Sequence, residues 1–210
     1  MSKYINNIVI VTDIFGTDQH ISKLVQILSR HVNKAIKVID PYNGSLQCFT
    51  NDKEAYQAFI EQCGHQYYSE KVQQALKQIT TDTIVIGFSA GASAVWQNTR
   101  EENHEHLKHV IGFYPSQIRN QLDVKPCCDV TLIFPIKEPH FNLNEIIQVL
   151  SKNEKVNCFK TIYNHGFMNP SSNNYSKSAA HYFSKTLSSM TKISELTTLL
   201  IKQKIHFIKE

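Results

Sequence analysis

The sequence predicts an α/β fold of three layers, a mostly parallel, doubly wound sheet between two layers of helices, and three observations predict it. Short β-branched runs alternate with helical patterns along the chain. The strand runs are continuously apolar, as strands covered on both faces are, rather than alternating. No linker, internal repeat or low-complexity stretch breaks the pattern, and 210 residues suffice for one domain with a substantial core but not comfortably for two. A single domain over residues 1–210 is therefore expected.

In chain order, "NIVIVTD" (Asn7 to Asp13) is a buried strand, and "HISKLVQILSR" follows with Ile21, Leu24, Val25 and Leu28 at helical spacing. "AIKVID" (Ala35 to Asp40) is the next strand, closed by the turn "PYNG". Residues 51–80 carry two polar helices with a break near Gly64. Then come the strand "TIVIG", a helix from about Gly91, and the strands "HVIGFYP" (His109 to Pro115) and "DVTLIFP" (Asp129 to Pro135). A helix over Leu143 to Leu150, the last strand "VNCFKTIY" and a helix from near Asn174 complete the pattern. Beyond it, "ELTTLLIKQKIHFIKE" sets Leu196, Leu199, Leu200, Ile205 and Ile208 on a stripe, which predicts an amphipathic helical extension over 195–210. Packed on its own domain the stripe is ordinary; exposed, it would favour a homodimer.

Composition excludes several classes of function. Hydrophobic residues make up 41% and charged residues 19%, the profile of an ordinary globular protein. The net charge of +4 is spread along the chain without a dense Lys/Arg run, so neither nucleic acid nor a membrane surface is an expected partner. The start, "MSKYINNIVIVTD", lacks the long apolar segment of a signal peptide, and no apolar run reaches membrane-spanning length; a cytoplasmic address is the expectation. Cys48, Cys63, Cys127, Cys128 and Cys158 are an odd number with no paired spacing, and they read as reduced thiols.

Nucleotide binding fails on the residues. Gly87-Phe88-Ser89-Ala90-Gly91 has no lysine for a phosphate-binding loop, and "DIFGTD" has one glycine where a dinucleotide fingerprint needs three. The same five residues instead fit a nucleophile elbow. A Gly-x-Ser-x-Gly turn between strand and helix needs small residues on both sides, because the backbone turns sharply and the two elements nearly touch. The plainer alternative is that Ser89 merely caps the following helix. Downstream, Glu138 in "TLIFPIKEPHF" lies just past a strand's carboxyl end, and His165 in "TIYNHGFMN" lies past the final strand. Serine, acid and histidine thus occur in the order this architecture uses, all at one end of the sheet, where functional groups of doubly wound folds gather.

These motifs resemble the dienelactone hydrolase family of α/β-hydrolases. "HGF" followed by "NPSSNNYSKSAAHYF", the strand and loop "IVIVTDIFG", and the acid loop "TLIFPIKEPHF" carry the likeness, over roughly residues 5–190. The chain departs from the family pattern at Glu138, where aspartate is usual, and at Pro135, where glycine is common. It also has serine where the best-known members have a cysteine nucleophile. The resemblance implies an α/β-hydrolase fold without a large lid and a serine hydrolase acting on small carboxylic esters, lactones or thioesters. On that reading Ser89 is the nucleophile, His165 the base and Glu138 the orienting acid. The N–H of Ala90, directly after the nucleophile, is one oxyanion donor, and the resemblance implies that of Ile14 as the other. Asp13 falls where the family tends to have a glutamate near the nucleophile; a loop-capping carboxylate is the other reading.

Phe15, Phe88, Tyr114, Phe167 and Met168 flank these groups and are candidates to line an apolar acyl pocket, with some expected to be core instead. Known relatives that bind anionic lactones use arginines, but Arg30, Arg100 and Arg119 fall beside none of the predicted catalytic loops. His104, His106 and His109 invite a metal reading, yet they precede a strand and so fall at the wrong end of the sheet; a solvated turn is expected there. No cofactor and no metal are predicted. Two readings compete with the hydrolase: a non-catalytic binding domain on the same fold, and an acyltransferase using the same residues.

Overall fold

A computed structural model describes residues 7–32, 35–100 and 104–189. The predicted extension at 195–210 lies outside the described residues. The strands are β1 (Asn7–Val11), β2 (Lys37–Ile39), β3 (Thr83–Phe88), β4 (Leu107–Phe113), β5 (Asp129–Phe134) and β6 (Val156–Lys160). They form one sheet in the order β2-β1-β3-β4-β5-β6, and every pairing is parallel. The helices are α1 (Gln19–Leu28), α2 (Asp52–Gln62), α3 (Gly64–Lys77), α4 (Ala90–Asn98), α5 (Leu143–Leu150) and α6 (Lys177–Ser188).

Parallel strands need crossovers, and the crossovers supply the two outer layers. Alternate residues of each strand feed opposite faces. Val9, Val11, Val85, Val110 and Val130 pack with α3, α4 and α5 through Tyr68, Val72, Val95, Trp96 and Ile147. Ile8, Ile10, Ile84, Ile86 and Ile111 pack with α1 and α6 through Leu24, Leu28, Phe183 and Leu187. This explains why the strands read as unbroken apolar runs. Four helix starts are fixed by side-chain caps: Asp18 accepts from the Ile21 N–H, Asn51 from Glu54, Asn142 from Asn144 and Ser176 from Ala179.

The elements follow the sequence reading with shifts at their ends. β2 is confined to three residues, and α6 begins at Lys177 rather than near Asn174, because the segment from His165 to Tyr175 forms a succession of turns. Among the described residues no helix is long and apolar enough to cross a membrane. No strand connection there bears a separate lid, although the α2–α3 connection between β2 and β3 leans over the carboxyl ends of the strands through Asp52 and Tyr56.

The chain passes from β1 outward to β2 and then returns to β3 on the other side of β1. That reversal opens a crevice beyond the carboxyl ends of β1 and β3. Residues 13–16 and Ser89 stand there. At the opposite end the histidines are not a solvated turn: His104 and His109 are buried, and only His106 is part-exposed, near Asp82. Among the described residues no group of His, Cys, Asp or Glu is arranged to hold a metal ion. His109, on β4, is 4% exposed, with Nε2 2.9 Å from the Thr131 hydroxyl of β5.

Burial pushes the His109 imidazole down to about 4. The unfolded chain takes up that proton near pH 6.5 while the folded chain refuses it, so stability present above pH 6.5 is lost as pH falls toward 4. Between pH 6.5 and 5 this single group removes about 2 kcal/mol. Urea unfolding of parent and His109→Gln at pH 7.5 and 5 checks this: the variant loses less stability on acidification, and equal losses would contradict it.

Candidate active site

Ser89 connects β3 to α4 at φ 48° and ψ −113°, a left-handed conformation for a residue with a side chain. Such backbone costs about 1–3 kcal/mol and is held only where packing leaves no alternative. Two glycines impose it. A β-carbon on Gly87 would meet the Cα of Ala92 at 2.7 Å, and one on Gly91 would collide with the carbonyl oxygens of Val11 and Thr12. Strand, elbow and helix therefore approach as closely as bare backbone allows, and Ser89 is turned up into the crevice.

His165 follows β6, and its Nε2 lies 2.9 Å from Ser89 Oγ. Its Nδ1 lies 2.7 Å from Glu138 Oε1. The Glu138 side chain is 5% exposed and the His165 side chain 30%, so the pair is shielded from bulk water on the acid's side. With Glu138 ionised, Nδ1–H donates to the carboxylate, and Nε2 is left to accept the serine proton. The imidazole packs against the Tyr114 ring at a centroid distance of 5.0 Å. The acid loop after β5 is a tight turn closed by a bridge between Glu138 and Phe141, and the Arg119 guanidinium lies 5.3 Å from the Phe141 ring centre.

The loop after β1 forms the facing wall. Gly16 N–H donates to the Asp13 carbonyl, and Phe15 N–H to the Asp13 carboxylate at 3.0 Å. Tyr42, from the "PYNG" turn, donates its hydroxyl to the Ile14 carbonyl at 2.7 Å. Among the described residues, neither the Ile14 nor the Ala90 N–H is given to a protein acceptor. Asp13 is 5% exposed, and burial pushes its carboxyl up to about 7, opposed by hydrogen bonding from Asn169. The Asn169 amide reaches the two carboxylate oxygens at 3.2 and 2.9 Å, joining the loop after β1 to the loop bearing His165.

These groups line a cavity of about 1080 Å³. Asp13, Ile14, Phe15, Ser89, Tyr114, Glu138 and His165 all face it. Phe88 and Phe167 do not, nor does Met168. Phe88 stacks on Phe113 at 5.1 Å within the α1/α6 core, and Phe167 and Met168 are fully buried in the same cluster. The reason is strand parity: Phe88 continues the Ile84–Ile86 face of β3 beneath the sheet. Arg119 corrects a second expectation. It stands on the one-turn helix Ser116–Asn120 after β4, and that turn carries it to the cavity wall alongside Lys137 and His140. Sequence reasoning missed Asn169 and Tyr42 as well; only their spacing, four residues after His165 and two after the end of the second predicted strand, pointed to the loops concerned.

Parallel order, elbow and crevice together define an α/β-hydrolase fold. The sequence profile of the dienelactone hydrolase family matches residues 2–194. The chain belongs to the dienelactone hydrolase family. It is 29% identical over 189 residues, 86% of this chain and 88% of the other, to the uncharacterized protein YczH of Bacillus subtilis (strain 168). Its fold is similar to that of P91, a dienelactone hydrolase-like promiscuous phosphotriesterase from metagenomic libraries. That match has a TM-score of 0.63 and 14% identity, covering 93% of this chain and 88% of that one. Est1E from Butyrivibrio proteoclasticus, solved with ferulic acid, gives 0.59 and 11% over 95% and 91% of the two chains. Dienelactone hydrolase from Anabaena variabilis gives 0.57 and 12% over 88% and 84%.

The Asp13–Asn169 contact predicts a pH-dependent cost. Folded Asp13 titrates near 7 and unfolded near 3.8, so the folded chain loses stability as pH rises from about 4 to 7. Asn169→Ala withdraws two donors from the charged form. It should destabilise by roughly 1–3 kcal/mol at pH 8 and by less at pH 5, where Asp13 is neutral. Denaturant unfolding at the two pH values checks this, and an equal penalty at both would contradict it.

Proposed function

We propose that the chain is a serine hydrolase that cleaves small carboxylic esters, lactones or thioesters through an acyl-enzyme. One observation carries the reading: Ser89, His165 and Glu138, from three separate loops, are joined by contacts of 2.9 and 2.7 Å in the sense that acyl transfer requires. Family membership and hydrolase relatives with the same fold support hydrolysis as the chemistry.

Ser89 Oγ attacks the carbonyl carbon while His165 Nε2 takes its proton. The tetrahedral oxyanion is received by the Ala90 and Ile14 N–H groups, a contribution of about 3 kcal/mol per donor in comparable sites. Imidazolium stabilised by Glu138 returns the proton to the departing alcohol, thiol or lactone oxygen. Water then adds to the acyl carbon as His165 takes its proton; the bond to Ser89 Oγ breaks, His165 returns the proton to that oxygen, and the acid is released. Every step uses side chains and backbone of this chain. Phe15, Tyr56 and Tyr114 supply apolar wall for the acyl group. Arg119 and Lys137 give that wall a cationic edge, which admits esters of acidic molecules as well as neutral ones.

Hydrolysis of p-nitrophenyl esters of rising chain length, with fluorophosphonate labelling, tests the reading. Ser89→Ala and His165→Ala should each lower kcat by roughly 10³-fold or more and leave a residual rate. Glu138→Gln should cost less than either, yet still about 10²-fold or more, because it permits the wrong imidazole tautomer. Glu138→Asp should recover much of the rate. A parent protein inert toward both esters and fluorophosphonate would overturn the proposal and favour a binding domain; near-parent activity in Glu138→Gln would remove the acid from its role.

A further inference from the structure

The peptide units that present the two N–H donors are each engaged from behind. The Ile14 N–H belongs to the peptide whose carbonyl is Asp13's, and that oxygen accepts from Gly16 N–H at 3.2 Å and from Thr12 Oγ1 at 3.1 Å. The Ala90 N–H belongs to the peptide whose carbonyl is Ser89's, and that oxygen accepts from Ser93 N–H at 3.0 Å and from Ser93 Oγ at 3.1 Å. Each carbonyl thus has one backbone donor and one hydroxyl donor. The hydroxyls come from different elements, the end of β1 and the body of α4.

Thr12 is wholly buried and Ser93 is 7% exposed, so both hydrogen bonds lie in a medium that strengthens them. Neither hydroxyl is needed to satisfy its carbonyl, since a backbone N–H already does so. Helical serines often bond four residues back, and Ser93 follows that habit. What is particular is the acceptor, the carbonyl of the nucleophile itself. Ser93 Oγ is in turn the acceptor of the Gln117 N–H at 3.1 Å, which extends the chain of dipoles into the turn after β4. Thr12 has no helical habit to explain it. Its own carbonyl accepts from the Tyr68 hydroxyl at 2.9 Å, which fixes the residue where its Oγ1 meets the next peptide.

We propose that Thr12 and Ser93 are positioning residues that polarise the Ile14 and Ala90 peptides, making both N–H groups stronger and better-aimed donors to an oxyanion. A hydrogen bond accepted at a carbonyl draws electron density across the amide and leaves its N–H more positive. The gain appears where negative charge develops, in the tetrahedral state, and hardly at all in the ground state. The inference rests on the hydrolase reading above.

The test uses the full chain with Thr12→Val, Ser93→Ala, their double variant and the conservative Thr12→Ser. Cooperative strengthening of roughly 10–30% on an oxyanion donor corresponds to about a two- to eightfold fall in kcat for each hydroxyl removed, with KM unchanged. A trifluoromethyl ketone that forms a hemiketal with Ser89 should bind more weakly by the same factor in each variant. The double variant should lose more than either single one, and Thr12→Ser should stay near the parent. Unchanged kcat in both single variants would overturn the inference, as would a fall in kcat with hemiketal affinity at the parent value. Should Thr12→Val fold poorly, Ser93→Ala with the same two readouts decides. A parent without esterase activity would sink the hydrolase reading itself, whereas an active parent with indifferent variants sinks only this inference.

Discussion

The start of α4 lies against the end of β1 so closely that no β-carbon fits between Gly91 and the carbonyl oxygens of Val11 and Thr12. This contact sets where everything else can stand. It draws the loop after β1 alongside the turn from β3 to α4 and leaves Ser89 at φ 48° as the way for the chain to pass from strand to helix. A larger residue at position 91 would separate the two walls of the crevice before it disturbed any side chain in it. The strained turn is paid for by the sheet core around it, where Val85, Ala94 and Val95 pack without exposure beyond a few per cent.

The remaining groups reach that point from elements with little freedom of their own. His165 is oriented at one ring nitrogen by a nearly buried carboxylate and across its face by Tyr114. Glu138 is presented by a turn closed onto Phe141, which Arg119 overlies. Tyr42 and Asn169 hold the loop after β1 from outside and from above. From this turn the Glu138 carboxylate reaches His165 Nδ1 at 2.7 Å. The constellation is a matter of loops held by a rigid sheet, which is the general reason such folds carry function at strand ends.

Much of this was legible in the residues. Among the described residues, unbroken β-branched runs and helical spacing identify six strands and six α-helices, since burial on both faces and amphipathic packing leave a periodic trace. Ser89, Glu138 and His165 could be placed because each lies in the loop that follows a strand, and strand ends converge in a parallel sheet. Phe88 and Phe167 lie in the core and not on the cavity because proximity in sequence to a loop of the candidate site does not say which side of the sheet a side chain enters. Arg119 and Asn169 were obscure for a related reason: each is placed by a turn whose path depends on distant residues, so that Arg119 reaches the cavity wall beside Phe141, and Asn169, buried behind it, meets Asp13, 156 positions away. The histidines around the start of β4 look polar in sequence, yet His104 and His109 are buried, and His109, on an inner strand, sets its imidazole against the Thr131 hydroxyl of β5.

In the proposed reaction Ser89 carries the acyl group. Acid-quenched mass spectrometry during turnover of a slowly deacylating ester measures it directly. A stoichiometric acyl adduct is expected on the peptide containing Ser89, formed before product release reaches its steady rate and absent when Ser89 is alanine. Turnover with no adduct on that peptide, or with the adduct on another residue, would contradict it.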